Sequence, residues 1–80
     1  MMPRYFFNII VGAKTIHDFE GTDLPDIATA RTEAVMDARS LMSTAVLEGW
    51  DISERSIQIC GDTGEVILTV AFRDALRRQT

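Results

Sequence analysis

Apolar residues recur along this chain in two rhythms, a period of two near both ends and a period close to 3.6 in the middle. Between Asp23 and Trp50, winding at about 100° per residue gathers Ile27, Arg31, Ala34, Val35, Ala38, Leu41, Met42 and Ala45 on one side, with Ala30 and Val46 at its margins. Thr29, Thr32, Glu33, Asp37, Ser40, Ser43 and Thr44 fall opposite. The pattern predicts an amphipathic helix over residues 25–48, whose alanines permit a close approach to its support. Pro25 suits the first turn, Asp23 is the N-cap candidate, and Asp26 adds negative charge at the positive end of the dipole. If Asp23 is only a loop residue, the start moves by a residue or two. Gly49 can take the left-handed conformation past the C-cap, letting Trp50 fold back on the last turn. Met36 and Leu47 break the pattern by pointing to the polar side, either as scattered exposed residues or as a shallow contact surface.

The flanking rhythms are those of strands. Tyr5 to Val11 is aromatic and β-branched, and Gly12-Ala13 fits a two-residue type II′ turn leading to a return strand from Lys14 to His17, or as far as Phe19. That turn pairs Ile9 with Ile16, Asn8 with His17 and Phe6 with Phe19. After a connector at Asp51-Ile52-Ser53-Glu54, residues 55–60 and 65–72 alternate as strands around the turn Gly61-Asp62-Thr63-Gly64, and Asp74-Ala75-Leu76 adds a terminal turn. The expected fold is α+β in the order ββαββ, a four-stranded antiparallel sheet with one long helix packed on one face. A single helix covers a single face, so Phe6, Ile10, Ile67 and Ala71 are candidates for an open apolar face, the mark of a partner site. Asn8, Gln58 and Thr69 argue the other way, for a face polar enough to stand alone.

Size and composition narrow the choices. Eighty residues with 46% hydrophobic and 25% charged content make one globular domain at the small end of what folds alone, and such chains gain stability by association. No apolar run spans a membrane, and no secretory signal precedes Arg4-Tyr5-Phe6-Phe7. One cysteine, Cys60, excludes an internal disulfide or a cysteine-rich zinc site, so a reducing cytoplasm is expected. A net charge of −4 opposes nucleic-acid binding through the whole surface. Arg73, Arg77 and Arg78, with Arg55, could still form a small basic patch, while Asp18, Glu20, Asp23 and Asp26 cluster before the helix.

Catalytic signals are weak. His17 lies beside Asp18 and Glu20, a combination that can hold a divalent ion, but neighbouring strand residues point to opposite faces. A Cys60–His17 nucleophile pair needs adjacent strands and has no evident third residue. Gly61-Asp62-Thr63-Gly64 precedes no helix and is a hairpin turn rather than a phosphate loop. No catalytic residue, cofactor or metal is expected.

Pro3 to Asn8, Glu20 to Asp26, Ala28 to Ala34 and Val70 to Ala75 together resemble a family of short bacterial proteins of unknown function. The likeness covers nearly the whole chain. It departs at Ala71, where the family commonly has Pro, and at Asn8, often His there. The resemblance implies no activity. Ala34, Ala38, Leu41 and Glu48-Gly49, following a hairpin and a short acidic loop, are similar to HicB-type antitoxin domains. That likeness implies a partner-binding module, without the DNA-binding segment such proteins often carry. The expected role is a non-enzymatic interaction module, self-associating or bound to a protein partner. The alternative is a regulatory or antitoxin-like nucleic-acid binder.

Overall fold

A computed structural model describes residues 2–77. The chain opens with strand β1 (Arg4–Val11), turns at Gly12-Ala13, and returns as β2 (Lys14–Ile16) and the two-residue β3 (Thr22–Asp23). Gly12 has φ +59 and Ala13 is not left-handed, as a type II′ turn requires. The long helix α1 (Ile27–Leu47) follows, then β4 (Ser56–Cys60), β5 (Val66–Ala71) and a 3-10 turn (Phe72–Ala75). The antiparallel sheet runs β2-β1-β4-β5, with β3 pairing on β1 as well. It therefore has five strands rather than four. The fifth arises because the return path of the first hairpin is interrupted, so one expected strand becomes two.

The interruption corrects part of the expected register. Ile9 does pair with Ile16, but pairing resumes only at Tyr5–Thr22 and Arg4–Asp23. Neither Asn8–His17 nor Phe6–Phe19 forms, and Phe19 is 87% exposed. Between β2 and β3 the Asp18 side chain replaces the missing backbone partners. Its Oδ2 accepts from the Phe7 N–H at 3.1 Å, and its Oδ1 accepts from Glu20 and Gly21 N–H groups, each at 3.1 Å. Asn8 Oδ1 in turn accepts from the Asp18 N–H at 2.9 Å. Gly21 has to be glycine, since its φ is +72 and a Cβ would lie 2.7 Å from Arg4 Cγ.

The N-cap also differs from expectation. Asp26, not Asp23, holds it, with Oδ1 accepting from the Thr29 N–H at 2.8 Å. Asp23 belongs to β3, where it receives the Arg4 guanidinium at 2.9 and 3.2 Å, so Pro25 precedes the cap instead of following it. At the other end Gly49 (φ +90) donates to the Val46 carbonyl and Trp50 to the Ala45 carbonyl, the two bonds of a Schellman motif.

The core lies between one helix stripe and one sheet face. Ala30, Ala34 and Ala38 are fully buried and Met42 nearly so, stacked at four-residue spacing against Ile57, Ile59, Val70, Phe72 and Ala75. The stripe is centred on the alanines rather than on the larger residues. Ile27, Arg31 and Leu41, expected inside, are exposed, and Ala45 is half-buried. The reason is close approach: only small side chains fit where the helix axis comes nearest the sheet, so bulkier neighbours are displaced to the flanks. The 3-10 turn closes the remaining end, burying Phe72 and Ala75, and Arg39 Nε donates to the Ala75 carbonyl at 2.6 Å.

Candidate interaction surface

Strand alternation sends Tyr5, Phe7 and Ile9 toward the helix and Phe6, Asn8 and Ile10 away from it. Three cross-strand rows result on the far face: Ile10–Ser56–Ala71, Asn8–Gln58–Thr69 and Phe6–Cys60–Val66. Each outer row carries apolar groups, and the middle row is polar throughout. Ile67 is the extra residue of a β-bulge opposite the Ile59–Cys60 step and is 44% exposed. Phe6, Ile10 and Ala71 are half-buried. The helix sits over β4 and β5 on the opposite side. The loop after β2 clads one corner of the far face, where a hollow of about 210 Å³ is lined by Phe6, Asn8, His17, Asp18 and Cys60, among others.

The other two candidates lie elsewhere. Met36 (57% exposed) and Leu47 (87% exposed) share the outer side of α1, eleven residues apart and so roughly 16 Å along its axis. Leu47 joins Val46, Ile52 and Leu76 in an open apolar groove of about 530 Å³ at the C-terminal end of the helix. Met36 stands apart from it. The sequence reading missed this groove, although the adjacent Val46-Leu47 before the Gly49 stop was a signal for it.

Three residues singled out for chemistry, His17, Asp18 and Cys60, line one hollow. His17, just past β2, and Cys60, at the end of β4, line the same hollow although β1 lies between those two strands. Burial, and secondarily the Glu65 charge, push the Cys60 thiol up, and the Asn8 amide that donates to its Sγ at 3.6 Å does not reverse this. A neutral thiol is a poor nucleophile. Burial raises the Asp18 carboxyl too, but the N–H groups of Gly21, Phe7 and Glu20 outweigh it and hold the carboxyl below its ordinary range. Among the described residues no group of three His, Cys, Asp or Glu side chains is placed to hold a metal ion.

The basic residues lie among acidic neighbours where the structure describes them. Arg55 is half-buried beside Trp50 and Glu54, and Arg73 is close enough to Asp51 to help depress its carboxyl, after the larger effect of the Ser53 hydrogen bonds. Arg77 is exposed, and Arg78 lies outside the described residues. No helix is long and apolar enough to cross a membrane among the described residues.

The chain belongs to a family described as a domain of unknown function (DUF6894), matched over residues 4–73. No curated protein matches it, and neither does any solved structure.

Proposed function

We propose that this member of a family without assigned activity is a non-enzymatic protein-interaction module that associates with itself or a protein partner in the bacterial cytoplasm. One observation carries the reading: α1 shields a single face of the sheet, leaving Phe6, Ile10, Ile67 and Ala71 outside the core. The small core supports it as well, since a domain of this size gains stability from burying further apolar area. Its chemical groups favour a structural use. Asp18 is committed to backbone N–H groups, and Cys60 is a buried neutral thiol, which also suits a reducing compartment.

Light scattering across a wide concentration range, with pull-downs from lysate, tests the proposal. Concentration-dependent mass, reduced by Ile10→Lys or Leu47→Lys, supports it and separates the sheet face from the helix side. A strict monomer at high concentration that retains no partner overturns it. The alternative, a nucleic-acid binder using Arg55, Arg73 and Arg77, has weaker support because Asp51 lies near Arg73 and the net charge is −4. Gel retardation at low salt that fades as salt rises would favour it.

A further inference from the structure

Three segments from distant parts of the chain meet at one corner of the far sheet face and line the hollow of about 210 Å³. β1 and β4 contribute Phe6, its cross-strand partner Cys60, and Asn8. The loop after β2 contributes His17, Asp18 and Phe19, and the turn between β4 and β5 contributes Asp62. Loop and turn are each held by hydrogen bonds of their own. Asp18 is tied to the Phe7, Glu20 and Gly21 N–H groups. In the turn, the Gly61 N–H donates to the Glu65 carbonyl at 2.9 Å and the Gly64 N–H to the Gly61 carbonyl at 3.1 Å. The hollow is therefore built into the fold, as sites for small molecules commonly are.

Its lining combines rings and negative charge. Phe6, His17 and Phe19 all border it, and the His17 and Phe19 rings stand 5.9 Å apart between centroids, tilted by 35°. Phe19 is 87% exposed even though its neighbour Asp18 is anchored, so a fixed loop holds an aromatic ring in water at the rim. Among the described residues the charged lining groups are both carboxylates, Asp18 and Asp62. The Glu65 carboxylate lies against Gly61 and adds a third negative charge beside them. The one salt bridge among the described residues, Arg4–Asp23, neutralises none of the three.

Aromatic faces are negative through their quadrupole, and carboxylates add net charge, so both parts of the lining favour a cation. A bare metal ion needs several ligating side chains, and no three His, Cys, Asp or Glu groups among the described residues are placed to supply them. An ammonium carrying alkyl groups needs none. Its carbons pack on rings while its charge is stabilised by nearby carboxylates without direct ligation. The hollow is smaller than the roughly 300–1,000 Å³ of pockets for drug-sized molecules, which selects a head group of few atoms.

We propose that this hollow binds a small alkylammonium compound of the choline type. Phe6, His17 and Phe19 form the aromatic cage, and Asp62 supplies the counter-charge because Asp18 is already committed to backbone N–H groups. The site needs no second copy and stands apart from the self-associating reading.

Titration of the full chain with choline, followed by nuclear magnetic resonance, tests it. Millimolar choline should shift the signals of Phe6, His17, Phe19 and the turn from Gly61 to Gly64. Dimethylbutanol, its uncharged isostere with carbon in place of nitrogen, should bind about tenfold more weakly. Phe19→Ala should weaken choline binding about fivefold and, because the ring is exposed, leave the urea midpoint unchanged. Asp62→Asn should weaken binding by a similar factor and flatten its decline with rising salt. Glu33→Gln, on the helix and outside the hollow, should have no effect. Equal binding of the uncharged isostere overturns the cation reading. An equal loss in Glu33→Gln does so too, since it marks attraction to net charge alone. Absence of shifts at tens of millimolar choline, or tighter binding of zinc than of choline in the same hollow, overturns the proposal outright.

Discussion

Asp18 replaces backbone partners across the break between β2 and β3, and Asp18→Asn tests that role at nearly constant shape. The carboxylate accepts three N–H groups, from Phe7, Glu20 and Gly21, each at 3.1 Å. An amide can keep its oxygen on the Glu20 and Gly21 pair, but then its NH2 group faces the Phe7 N–H, donor against donor. One charge-assisted bond is lost and one ladder amide in β1 is left without an acceptor, a change of about 1.5–3 kcal/mol in a buried setting. The site is only half-buried, so water recovers part of this and the expected loss is about 2 kcal/mol. Against a total of roughly 3–5 kcal/mol for a domain of this size, the urea midpoint should fall by on the order of 1–2 M. The dependence on pH has a definite sign. The folded carboxyl lies below its ordinary value of 3.8, so its contribution is present above that pH and is lost as pH falls through the folded value. The gap between wild type and variant should therefore be full at neutral pH and narrow under acid. Urea melts followed by circular dichroism at both pH values decide it. A neutral-pH difference under about 0.5 kcal/mol, or a gap that stays constant down to the acid limit of folding, refutes the account.

Gly21→Ala should cost about 1–3 kcal/mol, because a left-handed φ of +72 is joined by a Cβ placed 2.7 Å from Arg4 Cγ and 2.9 Å from Phe6 Cε2. Gly12→Ala, also left-handed at φ +59 but with open space around it, should cost less in the same melts. Ala34→Leu, at a fully buried contact of helix and sheet, should destabilise by about 1–3 kcal/mol or prevent folding, as thermal melting will show. Asp37→Asn should stabilise slightly at neutral pH, by less than about 1 kcal/mol after solvent screening, since burial and then the Glu33 charge raise the folded carboxyl. That gain should disappear as pH falls below 3.8, where the acid is protonated in both states.

Local rules carried the reading wherever neighbouring residues settle conformation by themselves. The Gly12-Ala13 hairpin, the Ile9–Ile16 register, the Gly49 stop with Trp50 folding back and the alternation that puts Phe6 and Ile10 on one face were all legible, whereas which face the helix covers was not. Each depends on φ preferences or on a period that a few residues express. The N-cap was expected at Asp23 and lies instead at Asp26. Asp23 and Asp26 have equal cap chemistry, and Asp26 holds the cap while Asp23 faces Arg4, nineteen residues earlier in the chain.

Other features were decided by residues distant in the sequence. Asp18 looked like one acidic loop residue among several, and only the closing of the first hairpin set it against the Phe7 amide and divided one strand into two. The helix stripe centred on Ala30, Ala34 and Ala38 because contact with Ile57, Ile59 and Val70 rewards closeness over size, which a hydropathy pattern does not weigh. The groove at Val46, Leu47 and Leu76 exists because the chain end returns to the helix. Composition and periodicity determined which elements form and which faces are apolar, since both follow from short-range sterics and solvation. Strand order, the divided return strand and the partners of Asp18 waited on the tertiary structure, because they depend on which distant backbone groups meet.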